Sequence, residues 1–348
     1  MGNPNVTIFD VAKLAGVSKG TVDRVIHNRG EVSAKSAEKV RKAIAELDYE
    51  PNLYASVLAS KKEYVIACIV PEAEEGSYWS MLAEGFSSHD NGLGSLGVET
   101  RLIRYDQYDV ESFNEVARQV LEMKPSGVIL PPLFAEASMI LTDALSKTDI
   151  PYVYVDSKMD DECHLAYFGL PEYDSGVLCA SLLTERCTVE EVDKIAVIRL
   201  RRQSDPTAMR RRGFMDYVRS HFPDADISSV FIDPSSKENT NEILDAFFRQ
   251  YGDSKFVVMF NSRVHLAADY LLSHPVKGRR VIGFDNLPKN LEMLQSVDDM
   301  LLITQHIDRQ ARLAVSTLVD YVVLHKKPAA RDNYMHMDII TKFNIENY

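Results

Sequence analysis

The stretch Thr7-Ile-Phe-Asp-Val-Ala-Lys-Leu-Ala-Gly-Val-Ser-Lys-Gly-Thr-Val-Asp-Arg-Val25 decides how the rest of the chain is read. Thr7 stands three residues before Asp10 and just ahead of the apolar Val11, Ala12 and Leu14. In that spacing a hydroxyl and a carboxylate satisfy the free amides that open a helix. Gly16 supplies a turn, because a residue without a Cβ enters the left-handed region at no steric cost. Ser18 is placed to cap a second helix, whose Val22, Val25 and Ile26 recur at three- and four-residue spacing and give it one buried face. The opposite face keeps Lys19, Gly20, Asp23, Arg24 and His27. Two helices joined by a short glycine turn match the helix-turn-helix, whose second helix enters the major groove.

Moving outward, Val32-Ser33 opens a third amphipathic helix carrying Val40, Ala43, Ile44 and Leu47, which Tyr49-Glu-Pro-Asn52 ends. Leu53, Ala55 and Leu58 follow, then Lys61 and Lys62. With Val32-Ser-Ala-Lys-Ser36 and Pro51-Asn-Leu-Tyr-Ala-Ser-Val-Leu58, about the first sixty positions resemble the lactose-repressor (LacI) family of bacterial transcription regulators. The resemblance implies that Thr7, Lys19, Gly20, Thr21, Asp23, Arg24 and His27 meet DNA, with Arg24 able to bond a guanine O6 and N7 together. Gly20 gives up a base-reading side chain, and Asp23 is expected to be held by Arg24 or Lys19. Residues 52–59 are too few for a stable isolated helix, so their folding is expected to couple to DNA and to a partner chain. The resemblance implies minor-groove contacts there from Asn52 and Ala55, with Leu58 as an apolar wedge that kinks the duplex.

Charge is divided along the chain. The total is −12, yet residues 1–62 hold ten Lys and Arg against seven Asp and Glu, so the head is +3 and the remainder −15. Such an asymmetry lets the head approach phosphate while the body is repelled from it. Cys68, Cys163, Cys179 and Cys187 form no CxxC pair and read as reduced core thiols, not as zinc ligands or a disulfide frame. The polar start and the lack of a long apolar run argue against secretion or membrane insertion, so a cytoplasmic protein is expected.

From Tyr64 onward, short apolar runs alternate with helical periods. Strands are predicted at 65–70, 98–103, 127–130, 152–155, 195–200, 229–232, 256–260 and 281–284. Helices are predicted at 79–88, 110–123, 135–146, 174–185, 211–221, 240–251, 264–273 and 310–324. Apolar strands separated by helices indicate parallel sheets covered on both faces. The expected fold is therefore a three-helix helix-turn-helix head and hinge helix, followed by an α/β core of two doubly wound lobes. That core resembles the periplasmic-binding-protein-like body of the same family. Predicted boundaries are 1–50 for the head, 51–63 for the hinge and 64–348 for the core. Lobe 1 takes about 64–172 and 305–330, and lobe 2 about 173–304 and 331–348.

Small ligands bind such folds at the carboxyl ends of strands. The resemblance, clearest at Val281-Ile-Gly-Phe-Asp-Asn286, Leu302-Ile-Thr-Gln-His-Ile307, Phe260-Asn261 and Arg210-x-x-Gly213-Phe214, implies effector contacts from Arg210, Asn261, Asp285 and Gln305. This set both donates and accepts hydrogen bonds, which suits a polyhydroxylated ligand. Tyr78 and Trp79 match an aromatic pair that could stack on a sugar face. Pro171 departs from the strand-end Asp common in the family, with Glu172 and Asp174 nearby.

These features together predict a homodimeric, ligand-responsive regulator of carbohydrate metabolism that reads a pseudo-palindromic operator in double-stranded DNA. A sugar or sugar derivative is the expected effector; a purine, another non-sugar ligand or a protein co-regulator is the alternative. No catalytic motif, metal site or cofactor is expected.

Overall fold

A computed structural model describes residues 6–26, 30–49, 62–88, 93–200, 207–252 and 254–348. The chain divides into Met1–Lys62 and Glu63–Tyr348.

In the head, α1 (Ile8–Ala15), α2 (Lys19–Ile26) and α3 (Ala34–Glu46) close over Val11, Ala12, Ala15, Val22, Val40 and Ala43. The Thr7 backbone amide and hydroxyl both donate to Asp10 Oδ2, at 2.8 and 2.6 Å. These bonds hold the Asp10 carboxyl below its usual range. Gly16 ends α1 at φ 63°, and Ser18 Oγ accepts from the Thr21 amide at the start of α2.

The core contains two six-stranded sheets. The first is built from β1 (Tyr64–Pro71), β2 (Val98–Tyr105), β3 (Gly127–Leu130), β4 (Tyr152–Asp156) and β5 (Ala166–Gly169). Its helices are α4 (Tyr78–Ser87), α5 (Val110–Met123) and α6 (Ala135–Lys147). After α7 (Glu172–Leu183), the second sheet takes β6 (Lys194–Leu200), β7 (Asp226–Ile232), β8 (Phe256–Val258), β9 (Arg280–Phe284) and β10 (Met300–Thr304). These alternate with α8 (Ala208–His221), α9 (Lys237–Tyr251), α10 (Val264–Ser273) and α11 (Pro288–Ser296). The chain then returns to the first lobe as α12 (Ile307–Val322), which packs on β3, β4, β5 and α4. It ends with β11 (Asp332–Tyr334) and β12 (Asp338–Ile340).

Strand orders are β2-β1-β3-β4-β5-β11 and β7-β6-β8-β9-β10-β12. Every pair is parallel except β10 with β12. The two lobes therefore repeat one winding, with β4 and β9 in equivalent places. Nearly all of β1, β3, β4, β6, β8 and β9 is buried, as continuous apolar runs in parallel sheets require.

One expected boundary is corrected. Residues from 331 were assigned to the second lobe, but Asp332–Tyr334 pairs with β5 in the first sheet. This strand is short and polar, so alternation gives no sign of it. Strands β5, β10 and β12 and helix α11 also lie beyond the predicted set. Among the cysteines, Cys68 and Cys179 are buried and burial pushes their thiols up, whereas Cys163 is exposed, contrary to a core position. No helix among the described residues is long and apolar enough to cross a membrane.

Candidate functional site

In the head, Lys19, Gly20 and Arg24 are exposed on α2, and Thr21 and Asp23 are half-buried. A Cβ on Gly20 would meet only Ser18 Oγ, at 3.8 Å, so the surface there is open enough for a close approach of backbone to a partner. Thr21 Oγ1 lies 2.9 Å from Ser18 Oγ, which commits that hydroxyl to the helix start. Lys19 Nζ stands 4.7 Å over the Phe9 ring, and Phe9 is itself largely exposed. Asp23 faces Tyr49, whose hydroxyl is pushed up first by burial and then by this carboxylate. Exposed Thr7 is held in the cap of α1. His27, Asn52, Ala55 and Leu58 lie outside the described residues, as does nearly all of the expected 51–63 hinge.

In the core, a cleft of about 840 Å³ opens between the lobes. One wall comes from the segment after β1, including Glu72, Glu75, Tyr78 and Trp79; the other comes from Asp233, Arg263, His265 and Lys289. These segments follow β1, β7, β8 and β9, so the cleft lies beyond the carboxyl ends of the strands, where doubly wound folds bind ligands. The Tyr78 and Trp79 rings meet edge to face at 4.8 Å.

Next to Tyr78, three of the other expected contacts, Arg210, Asp285 and Gln305, form a buried polar layer, the floor, behind the residues that line the cleft. Arg210 Nη2 donates to Glu172 Oε1 at 2.9 Å, Nε to Ser175 Oγ at 3.1 Å and Nη1 to the Phe260 carbonyl at 2.7 Å. Its guanidinium carbon lies 4.0 Å over the Phe284 ring. Gln305 Nε2 donates to Asp285 Oδ1 at 3.0 Å, and Gln310 Nε2 lies 3.4 Å from Gln305 Oε1. Gln310 Oε1 accepts from the Asp156 amide at 2.9 Å, so an amide chain joins the end of β4 in one lobe to the end of β9 in the other. Tyr167 donates its hydroxyl to the Asp156 and Leu170 carbonyls.

The electrostatics of the floor follow from burial. Asp285 is pushed up to about 7, chiefly by desolvation, with Asp156 and Glu172 adding repulsion and Arg210 and Gln305 opposing it. Glu172 rises to about 6 for the same leading reason, against the pull of Arg210. Burial and the Asp156 and Asp285 charges push the Tyr78 hydroxyl well above its ordinary range. That hydroxyl lies near these carboxylates without closing a hydrogen bond of ordinary geometry, and Glu172 Oε2 is likewise without a partner.

The expected residues therefore separate. Tyr78 and Trp79 line the cleft, and Arg210, Asp285 and Gln305 lie in the buried layer next to Tyr78 without lining the cleft themselves. Asn261 does not join them: its Oδ1 accepts from the Arg263 amide at 2.9 Å in a turn after β8. Strand-end Asn commonly satisfies turn backbone in this way. Sequence reasoning missed Asp156, Ser175, Tyr167 and Gln310, and noted Glu172 only as a departure. A signal for Asp156 was present. Tyr-Val-Tyr-Val-Asp156 ends β4 as Val-Ile-Gly-Phe-Asp285 follows β9, and both Asp residues take positive φ, 67° and 69°.

Two family profiles match the chain: bacterial regulatory proteins, lacI family, over residues 7–52, and periplasmic binding protein domain over 66–327. The transcriptional regulator MalR of Streptococcus pneumoniae serotype 4 is 32% identical over 151 residues, covering 42% of this chain and 44% of that protein. The match thus spans less than half the length of this curated relative. A protein from Bacteroides fragilis assigned as a LacI transcriptional regulator superposes with a TM-score of 0.76 at 30% identity, over 82% of this chain and 100% of that one. The lac repressor bound to ONPG superposes at 0.64 with 20% identity, over 97% and 98%, a likeness of fold.

Proposed function

This chain belongs to the lacI family of bacterial regulatory proteins, and from that membership we propose that it is a DNA-binding transcription regulator of carbohydrate metabolism, controlled by a sugar or sugar derivative held between the lobes. The observation that carries the reading is the union, in one chain, of an exposed basic face on α2 with a two-lobed core whose polar floor spans both lobes. The protein acts in the cytoplasm as a homodimer, so two heads meet two half-sites of a pseudo-palindrome. Its work is binding, not catalysis. MalR, a transcriptional regulator by name, supports this assignment.

Residues in both walls and in the floor support a mechanism of lobe closure. An effector that bonds Asp285 and Arg210 in one lobe while stacking on Trp79 in the other favours a closed arrangement, and any difference in DNA affinity between open and closed states becomes its response. Selection of bound sequences from a random duplex library tests the reading. Enrichment of a two-fold related pair of half-sites, shifted by a sugar, is expected; no enriched sequence, or a response to purines alone, defeats it.

A further inference from the structure

We infer that the interlobe floor is built for an effector that brings a positive charge, an amino sugar or another small polyhydroxylated amine, an inference that rests on the sensor reading above. A balance of charge carries the inference. Arg210 already donates from each of its three nitrogens to Glu172, Ser175 and the Phe260 carbonyl. Gln305 Nε2 serves Asp285, and Gln310 Nε2 faces Gln305. Each of these nitrogens thus has a partner within the protein, while Arg210 keeps two further N–H groups and each amide one.

The carboxylates are less fully engaged. Glu172 Oε2 has no partner, and Gln305 engages only Oδ1 of the buried Asp285 carboxylate. An ammonium brings a positive charge and three donors, which suits three acidic side chains set around one guanidinium with a carboxylate oxygen unpaired. A phosphate or carboxylate would meet three acidic side chains, Asp156, Glu172 and Asp285, around one guanidinium. The walls add to the imbalance, since Glu72, Glu74, Glu75 and Asp233 face Arg263 and Lys289.

Buried carboxylates in excess of nearby cations take up protons when no cation arrives. Asp285, near 7, is the group that does so, with Asp156, Glu172, Arg210 and Tyr78 around it. Entry of an ammonium substitutes for that proton and releases it.

The test titrates the whole chain with D-glucosamine, D-glucose and D-glucose 6-phosphate, and with the corresponding galacto and manno sugars. Trp79 emission and heat are followed in two buffers of different ionisation enthalpy. An amine is expected to bind at least tenfold tighter than its hydroxyl parent, with proton release near neutral pH. Asp285→Asn and Glu172→Gln are expected to remove most of that preference. A parent sugar or phosphate that binds as well as every amine overturns the inference while leaving the sensor reading standing. Silence from all of these sugars overturns both.

Discussion

Gly176 and Arg210 meet backbone to backbone, so closely that a Cβ at position 176 would overlap the Arg210 carbonyl oxygen. Gly213 makes the reciprocal approach to the Tyr173 carbonyl. These glycines let α7 and α8 cross at near contact, and the crossing carries Arg210 onto Ser175 and Glu172. The polar floor is thus set by helix packing as much as by its own charges.

Gly213→Ala should therefore damage stability and ligand binding together. Forcing a methyl into a filled contact costs about 1–3 kcal/mol, and separating the helices lengthens the Arg210 bonds. Denaturant unfolding would show a lowered midpoint, with Gly94→Ala as the control because nothing lies within 4 Å of a Cβ there. Equal midpoints for the two variants would contradict the packing argument.

The pH dependence has a defined sign. Asp285 is raised to about 7 and Glu172 to about 6, so the folded protein binds more protons than the unfolded chain in this range. Their contribution to stability is full below the ordinary carboxylate pKa and is lost as pH rises through about 6 and 7. The melting temperature of the ligand-free protein should fall from pH 5 to pH 8 through these groups. Asp285→Asn should flatten that slope, and an unchanged slope would remove Asp285 as its source.

Gln310→Leu should weaken the connection between lobes. It leaves the Asp156 amide without its acceptor, a loss of about 1–3 kcal/mol for a buried donor. Small-angle scattering with a bound effector should show a smaller compaction than for the native chain.

Arg24→Ala should reduce operator affinity and relax base preference at one position of each half-site, by about 1–3 kcal/mol. Lys35→Ala, exposed at the start of α3, should instead weaken all duplexes alike and flatten the salt dependence by about one unit. Mobility-shift titrations over several salt concentrations separate the two.

The head and most of the core were legible because their signals are local. Thr7 with Asp10, and Gly16 with Ser18, specify a helix start and a turn within a few residues, and the apolar runs of β1, β3, β4, β6 and β9 announce buried parallel strands. The floor was legible only in part. Arg210, Asp285 and Gln305 stood out through family likeness, but Gln310 lies in an amphipathic helix where nothing distinguishes an inward polar residue from a surface one. Its partner, the Asp156 amide, is 154 positions away. Asn261 reads two ways because a strand-end amide has two uses, and in this structure the turn takes its oxygen.

The closing strands bear on how the chain is made. Each sheet receives its last strand from residues 332–340, β11 in one and β12 in the other. At a synthesis rate of about 5–20 residues per second, a ribosome spends many seconds extending the chain from residue 64 before either sheet can be completed. The apolar edges of β5 and β10 wait through that interval without their neighbours. Chaperone dependence during translation should accordingly track the distance still to be synthesised to residue 340, and a chain stalled before Asp332 should be held by chaperones with both lobes unfinished.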